Sequence, residues 1–175
     1  MKIKYKHQRF QTEAARCVTD TFKGQPKQEP GSNYLIDQGT NQGLFKTEGY
    51  ANWPLQIADS VFCDNIRKTQ MEQGIKPIEA LEGDRRTLTV EMETGTGKTY
   101  TYIKTMFELN KLYGWLKFIV VVPSIAIREG VLKSFGSMSD HFAEEYGKRM
   151  EYFVYNSKKL EMIDHFSQSS NIHVM

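Results

Sequence analysis

A chain of 175 residues, 39% hydrophobic and 25% charged, has the composition of an ordinary globular protein large enough to bury one core. Its 23 Lys and Arg against 21 Asp and Glu leave a net charge of +2, which excludes a strong global field for nucleic acid. The longest apolar run, Phe118 to Val122, is strand-sized, so no membrane partner is expected. The basic start, MKIKYKHQRF, lacks the apolar core of a secretory signal. Cys17 and Cys63 have no metal-type spacing and read as reduced thiols of a cytoplasmic protein.

From the N-terminus, Gln8 to Phe22 carries Phe10, Ala14, Ala15, Val18 and Phe22 at helical spacing. Lys23 to Gly31 is polar, with Gly24, Pro26 and Pro30, and reads as a linker. Asn33 to Trp53 mixes aromatics with glycines and is expected to be a loop or a β-rich insertion. Ile57 to Gln73 reads as a helix whose core positions are Ile57, Val61, Ile66 and Met71. Leu81 to Arg86 reads as a charged turn, followed by a predicted strand from Leu88 to Met92.

A glycine-bearing loop, METGTGKT, then leads into a predicted helix from Lys98 to Leu112, closed by Tyr113-Gly114. Strand, glycine loop and helix in this order are the context of a phosphate-binding loop. Gly95 and Gly97 allow positive φ and leave no side chain between backbone and anion. Backbone N–H groups at the following helix start can then converge on phosphate. Lys98 is placed to reach the outer phosphates and is the candidate catalytic residue. The Thr99 hydroxyl is placed to bind magnesium. The candidate ATP-binding loop residues are therefore Thr94, Gly95, Thr96, Gly97, Lys98 and Thr99. Met92 stands where the strict pattern has its first glycine.

Phe118 to Val122 is continuous and apolar, as a central parallel strand covered on both faces would be. Pro123 ends it, and Ser124 can cap a helix running to about Phe135. Asp140 to Arg149 reads as a further short helix, Tyr152 to Tyr155 as a strand, and Ile172 to Met175 as the start of another. The alternation predicts a parallel α/β sheet. Neither Asp140 nor Glu144-Glu145 follows an apolar strand, so no Walker B carboxylate pair stands downstream of the loop. Glu91 and Glu93 flank the loop and are expected to point away from it. His7, His141, His165 and His173 have no metal-ligand spacing along the chain. Tyr50, Trp53, Tyr100 and Tyr102 read as packing residues.

The loop with its relaxed first glycine resembles superfamily 2 helicases and translocases. More narrowly, the chain is similar to the Res subunit of type III restriction–modification systems. The likeness runs through Thr99 to Phe135, Arg149 to Leu160 and the opening HQRFQTEAARCV. It is weakest from Lys23 to Arg86. It implies a RecA-like P-loop NTPase lobe, with a central parallel sheet flanked by helices and incomplete at its C-terminal end. The implied organisation is an N-terminal helix element (1–22), a linker and family-specific insertion (23–86) and a first RecA-like lobe (87–175).

Phe10-Gln11, followed by Ala14, matches the aromatic-Gln-x-x-Ala element of such proteins, whose glutamine reads the adenine edge. Gln8 is the alternative if the register shifts. Pro123-Ser124 with Arg128 matches motif Ia, which implies contact of Ser124 and Arg128 with DNA phosphates. The cofactors implied are ATP and Mg2+. The partners implied are double-stranded DNA and a modification (methyltransferase) subunit. The expected function is the ATP-binding part of a DNA translocase that drives cleavage by a type III site-specific deoxyribonuclease. The apolar ending at Met175 and the missing Asp-Glu pair suggest an N-terminal piece lacking the second lobe and nuclease. The alternatives are a superfamily 2 helicase outside restriction systems and a non-catalytic ATP-binding remnant.

Overall fold

The computed structural model describes residues 5–29, 34–35, 49–81 and 86–175; much of the insertion and of the charged turn lies outside these. The chain divides into two compact units, one of Lys6–Pro26 and Pro54–Leu112, the other of Met1–Tyr5, Lys27–Trp53 and Tyr113–Met175.

The first unit is helical among its described residues. Helix α1 spans Arg9–Asp20, and the described chain after β1 (Tyr34–Leu35) and β2 (Gly49–Tyr50) continues into α2, Asp59–Glu72. Helix α3 runs Lys98–Tyr113. Ile57, Phe62 and Ile66 form one apolar cluster in this unit, with Phe22, Ile78, Leu81 and Leu88 packed against it. Phe62 is fully buried, its ring 5.5 Å from that of Phe22. Val61 and Met71, expected in the core, are 43% and 60% exposed. The buried stripe of α2 is instead Phe62, Cys63 and Ile66.

Leu88 to Met92 is not a strand. Its alternation is strand-like, but among the described residues it has no ladder partner. Leu88 is held by its side chain against the Ile57–Phe62–Ile66 cluster, while Val90 is 47% exposed. A β pattern forms a strand only where a neighbouring backbone receives it.

The second unit holds the sheet. Strands β3 (Lys117–Phe118), β4 (Met150–Tyr152) and β5 (Ile172–Val174) pair in the order β3-β5-β4, all parallel. Parallel neighbours need crossover connections. These are α4, Ile125–Tyr146, between β3 and β4, and α5, Glu161–Gln168, between β4 and β5. Residue alternation assigns the two helices to opposite faces. Tyr152 stacks 5.1 Å from Phe135 of α4, whereas Phe153 and His173 lie 5.9 and 5.1 Å from Phe166 of α5. Separately, β1 and β2 pair antiparallel, Tyr34 opposite Tyr50.

Three expectations for this unit are corrected. Phe118 to Val122 is not a central strand: β3 lies at the sheet edge, and Ile119 and Val121 are 63% and 88% exposed. Its far side is met by a side chain. The Asn52 amide accepts from Leu116 N (2.7 Å) and Lys117 N (2.9 Å) and donates to Lys117 O (2.7 Å), as a neighbouring strand would. The second correction is that the helices expected at Ser124–Phe135 and Asp140–Arg149 are one, α4, which contains Asp140. Gly136 and its flanking serines look like a break, but a helical glycine costs only about 1 kcal/mol. Burial of Phe135 and Phe142 on either side offsets that. The third is that the strand expected at Tyr152–Tyr155 is Met150–Tyr152, with Phe153 N still bonded to Val174 O. Helix α5, not expected from the sequence, follows it.

The polar segment after α1 is also packed. Gln25 and Gln28 are 6% and 2% exposed. Each uses its amide as a two-way backbone partner: Gln25 to Pro54 O and Gln56 N, Gln28 to Ala51 O and Trp53 N. Both cysteines are free, as expected, and burial raises the Cys17 thiol above its ordinary value.

Asn52→Ala should leave the outward-facing groups of Leu116 and Lys117 without their partner, at a cost of about 2 kcal/mol. Urea denaturation followed by circular dichroism should show a lower midpoint with an unchanged slope.

Candidate functional site

The glycine loop is built by local backbone geometry. Gly95 and Gly97 both take positive φ, +82° and +86°. Between Glu93 and Thr96 the chain turns, with Thr96 N (3.4 Å) and Thr96 Oγ1 (2.7 Å) both donating to Glu93 O. Helix α3 starts directly at Lys98, and Thr101 N closes its first bond onto Gly97 O at 3.0 Å. No acidic side chain lies in this first turn, so the positive end of the helix dipole is not neutralised there. Lys98, Glu91 and Glu93 are exposed, and Thr96, Gly97 and Thr99 are half-buried. A Cβ at Gly95 would meet nothing within 4 Å, so the loop backbone stands open on that side.

An element distant in sequence also reaches the loop. Gln11, 9% exposed on α1, donates its amide Nε2 to Thr96 O at 2.9 Å. The contact spans 85 residues of sequence. It also explains Gly97 beyond its φ, since a Cβ there would overlap Gln11 Nε2. Gln8, the α1 N-cap, is exposed, unlike Gln11. Phe10, beside it, is 46% exposed. Burial raises the pKa of the half-buried Tyr102 phenol, and the Thr99 side chain opposes the rise. Thr94 is exposed at the head of the turn.

In the sheet-bearing unit, Ser124 is the N-cap of α4, its Oγ accepting from Ile127 N at 3.3 Å. Arg128 pairs with its neighbour Glu129, Nη2 to Oε1 at 2.9 Å. Both follow the carboxyl end of β3, the edge at which open α/β sheets bind ligands.

Residues 64–175 match the family model described as type III restriction enzyme, res subunit. The chain belongs to this family. Res subunits of type III restriction-modification enzymes align with it individually: that of EcoPI, from Escherichia phage P1, is 37% identical over 111 residues, which is 62% of this chain and 11% of the relative. The EcoP15I Res subunit of Escherichia coli is 38% identical over 112 residues, 62% of this chain and 12% of the relative. The StyLTI Res subunit of Salmonella typhimurium is 44% identical over 77 residues, 42% and 8% respectively. The chain thus spans about a tenth of the length of the curated relatives it matches. The Res family carries the RecA-like α/β fold, in agreement with the parallel sheet and helices seen here. Gln11 lies outside the matched stretch, and its bond to Thr96 is what joins α1 to the Res-type loop.

The sequence missed one grouping. His165 and His173, with no ligand spacing along the chain, lie 5.3 Å apart between ring centroids, beside Glu151. The return from α5 into β5 brings them together, and spacing along a chain does not register such a return.

The two loop glycines should respond differently to alanine. Gly95→Ala meets only the φ penalty, about 1–2 kcal/mol. Gly97→Ala also displaces the Gln11 amide from Thr96 O and should cost about 1 kcal/mol more. Gln11→Ala in the Gly97→Ala background should recover part of that loss, read as a non-additive double-mutant cycle in urea.

Proposed function

We propose that this chain is the ATP-binding part of a Res subunit whose whole is an ATP-dependent DNA translocase driving cleavage by a type III site-specific deoxyribonuclease. The observation that carries the reading is the glycine loop with positive φ at Gly95 and Gly97, opening straight into α3 at Lys98. Membership of the Res family supports it independently.

The loop residues fit the phosphates of Mg-ATP. Gly95 and Gly97 offer backbone N–H groups to the anion, and the α3 start adds its dipole. Lys98, exposed at the first helical position, neutralises charge on the outer phosphates. Thr99 offers a hydroxyl to Mg2+. Gln11 holds the loop through Thr96 O and keeps Oε1 for the adenine amino group. Phe10 offers a ring to the base. When bound, Mg-ATP supplies the free energy of phosphoanhydride cleavage. The residues named here bind and orient it.

Ser124 and the first turn of α4 are suited to a DNA phosphate, and Arg128 to a second once it releases Glu129. Double-stranded DNA and a modification subunit are the proposed partners of the whole protein. No helix among the described residues is long and apolar enough to cross a membrane.

Titration calorimetry with Mg-ATP tests the loop. Lys98→Ala should weaken binding about 10-fold or more, the loss expected for one charge-assisted contact. Equal affinity in both proteins would defeat the assignment. The chain alone should hydrolyse ATP no faster than Lys98→Ala, with or without DNA. For the DNA surface, Arg128→Ala should lower the salt dependence of duplex binding by about one unit of slope.

A further inference from the structure

Parallel pairing sets His173 of β5 opposite Lys117 of β3 on one side and Glu151 of β4 on the other. Residues in register across a sheet point to the same face. A row of three ionisable side chains therefore crosses the face that α5 covers, and α5 adds His165 to it. A polar row on a helix-covered face costs burial energy unless its members are satisfied.

Two of the four are accounted for. The Lys117 ammonium donates to Phe166 O and Ser169 O at the end of α5. Glu151 is held at both oxygens, Oε2 by Ser169 Oγ at 3.0 Å and Oε1 by Asn171 Nδ2 at 2.7 Å. His173 is not. It is 2% exposed, and its Nδ1 has no hydrogen-bond partner among the described residues. That nitrogen faces Glu151 Oε2 at 3.6 Å, too far for a hydrogen bond. One nitrogen of His165, one of His173 and one Glu151 oxygen all lie within 4.8 Å of one another.

We propose that Glu151, His165 and His173 form a binding site for a divalent metal ion of the zinc class, apart from the nucleotide loop. Two donors on a tetrahedral ion, each at about 2.0–2.2 Å, stand about 3.4 Å apart, close to the Glu151–His173 separation. Two imidazoles and a carboxylate are a zinc-type donor set, with a fourth position left for water. The Ser169 and Asn171 bonds aim the carboxylate, as partners of a ligating carboxylate do. Burial holds the His173 imidazole below its usual pKa. Those same two bonds, against the effect of burial, bring Glu151 below its usual value. Lys117 opposes a second positive charge, but its ammonium is turned to the α5 carbonyls, and burial lowers its pKa to about 8. The ion would clip α5 to β4 and β5.

The test is titration calorimetry of the chelator-treated chain with zinc chloride, alongside Glu151→Gln and His165→Ala. His165 is exposed, so its removal leaves the core intact, and far-ultraviolet circular dichroism confirms the fold of each variant. One equivalent should bind the wild type and raise its thermal midpoint. Each variant should bind at least about 10-fold more weakly. Lys98→Ala should bind zinc as the wild type does. Absence of stoichiometric binding, or undiminished affinity in either variant, would overturn the site.

Discussion

The contact of the Gln11 amide with the loop backbone is the constraint on which the candidate site depends. It fixes Thr96 O from an element 85 residues away. A Cβ at Gly97, whose φ of +86° already favours glycine, would displace that amide. With Gly97 so held, Lys98 begins α3 without an intervening residue.

The same device recurs elsewhere. Side-chain amides repeatedly stand in for backbone partners: Gln25 with Pro54 and Gln56, Gln28 with Ala51 and Trp53, Asn65 with Thr21 and Lys23, Asn52 with the edge of β3. An amide carries donor and acceptor together, so one side chain can satisfy both groups of an irregular peptide. Irregular segments can then be buried without a ladder, which an unpaired backbone otherwise resists.

That device also explains what was legible in the sequence. Features set by local chemistry could be read: the glycine loop, helix α3 with its Gly114 stop at φ +76°, the Ser124 cap and the α/β alternation. Features set by a distant partner could not. Leu88 to Met92 carries strand composition but lacks a described neighbour, and beyond Phe118 the described pairing with β5 ends at the Val120 N bond to Met175 O, so the β pattern alone misled. Gln25 and Gln28 looked like solvated linker residues because polarity signals exposure unless the partner peptide is known. Gly136 looked like a break because the burial of Phe135 and Phe142 is a tertiary effect. The meeting of Glu151, His165 and His173 depends on strand register, which no spacing along the chain encodes.

The central claim is that the backbone around Gly95 and Gly97 is a phosphate cradle. Amide chemical shifts of residues 94–99, followed during titration with Mg-tripolyphosphate and then Mg-ATP, test it most directly. Tripolyphosphate has no base, so it isolates the loop from any contact made by Phe10 or Gln11. Shifts at Gly95, Gly97 and Lys98 with both ligands, and at Gln11 with ATP alone, are the predicted result. Unmoved loop amides, or shifts centred elsewhere in the chain, would contradict the account.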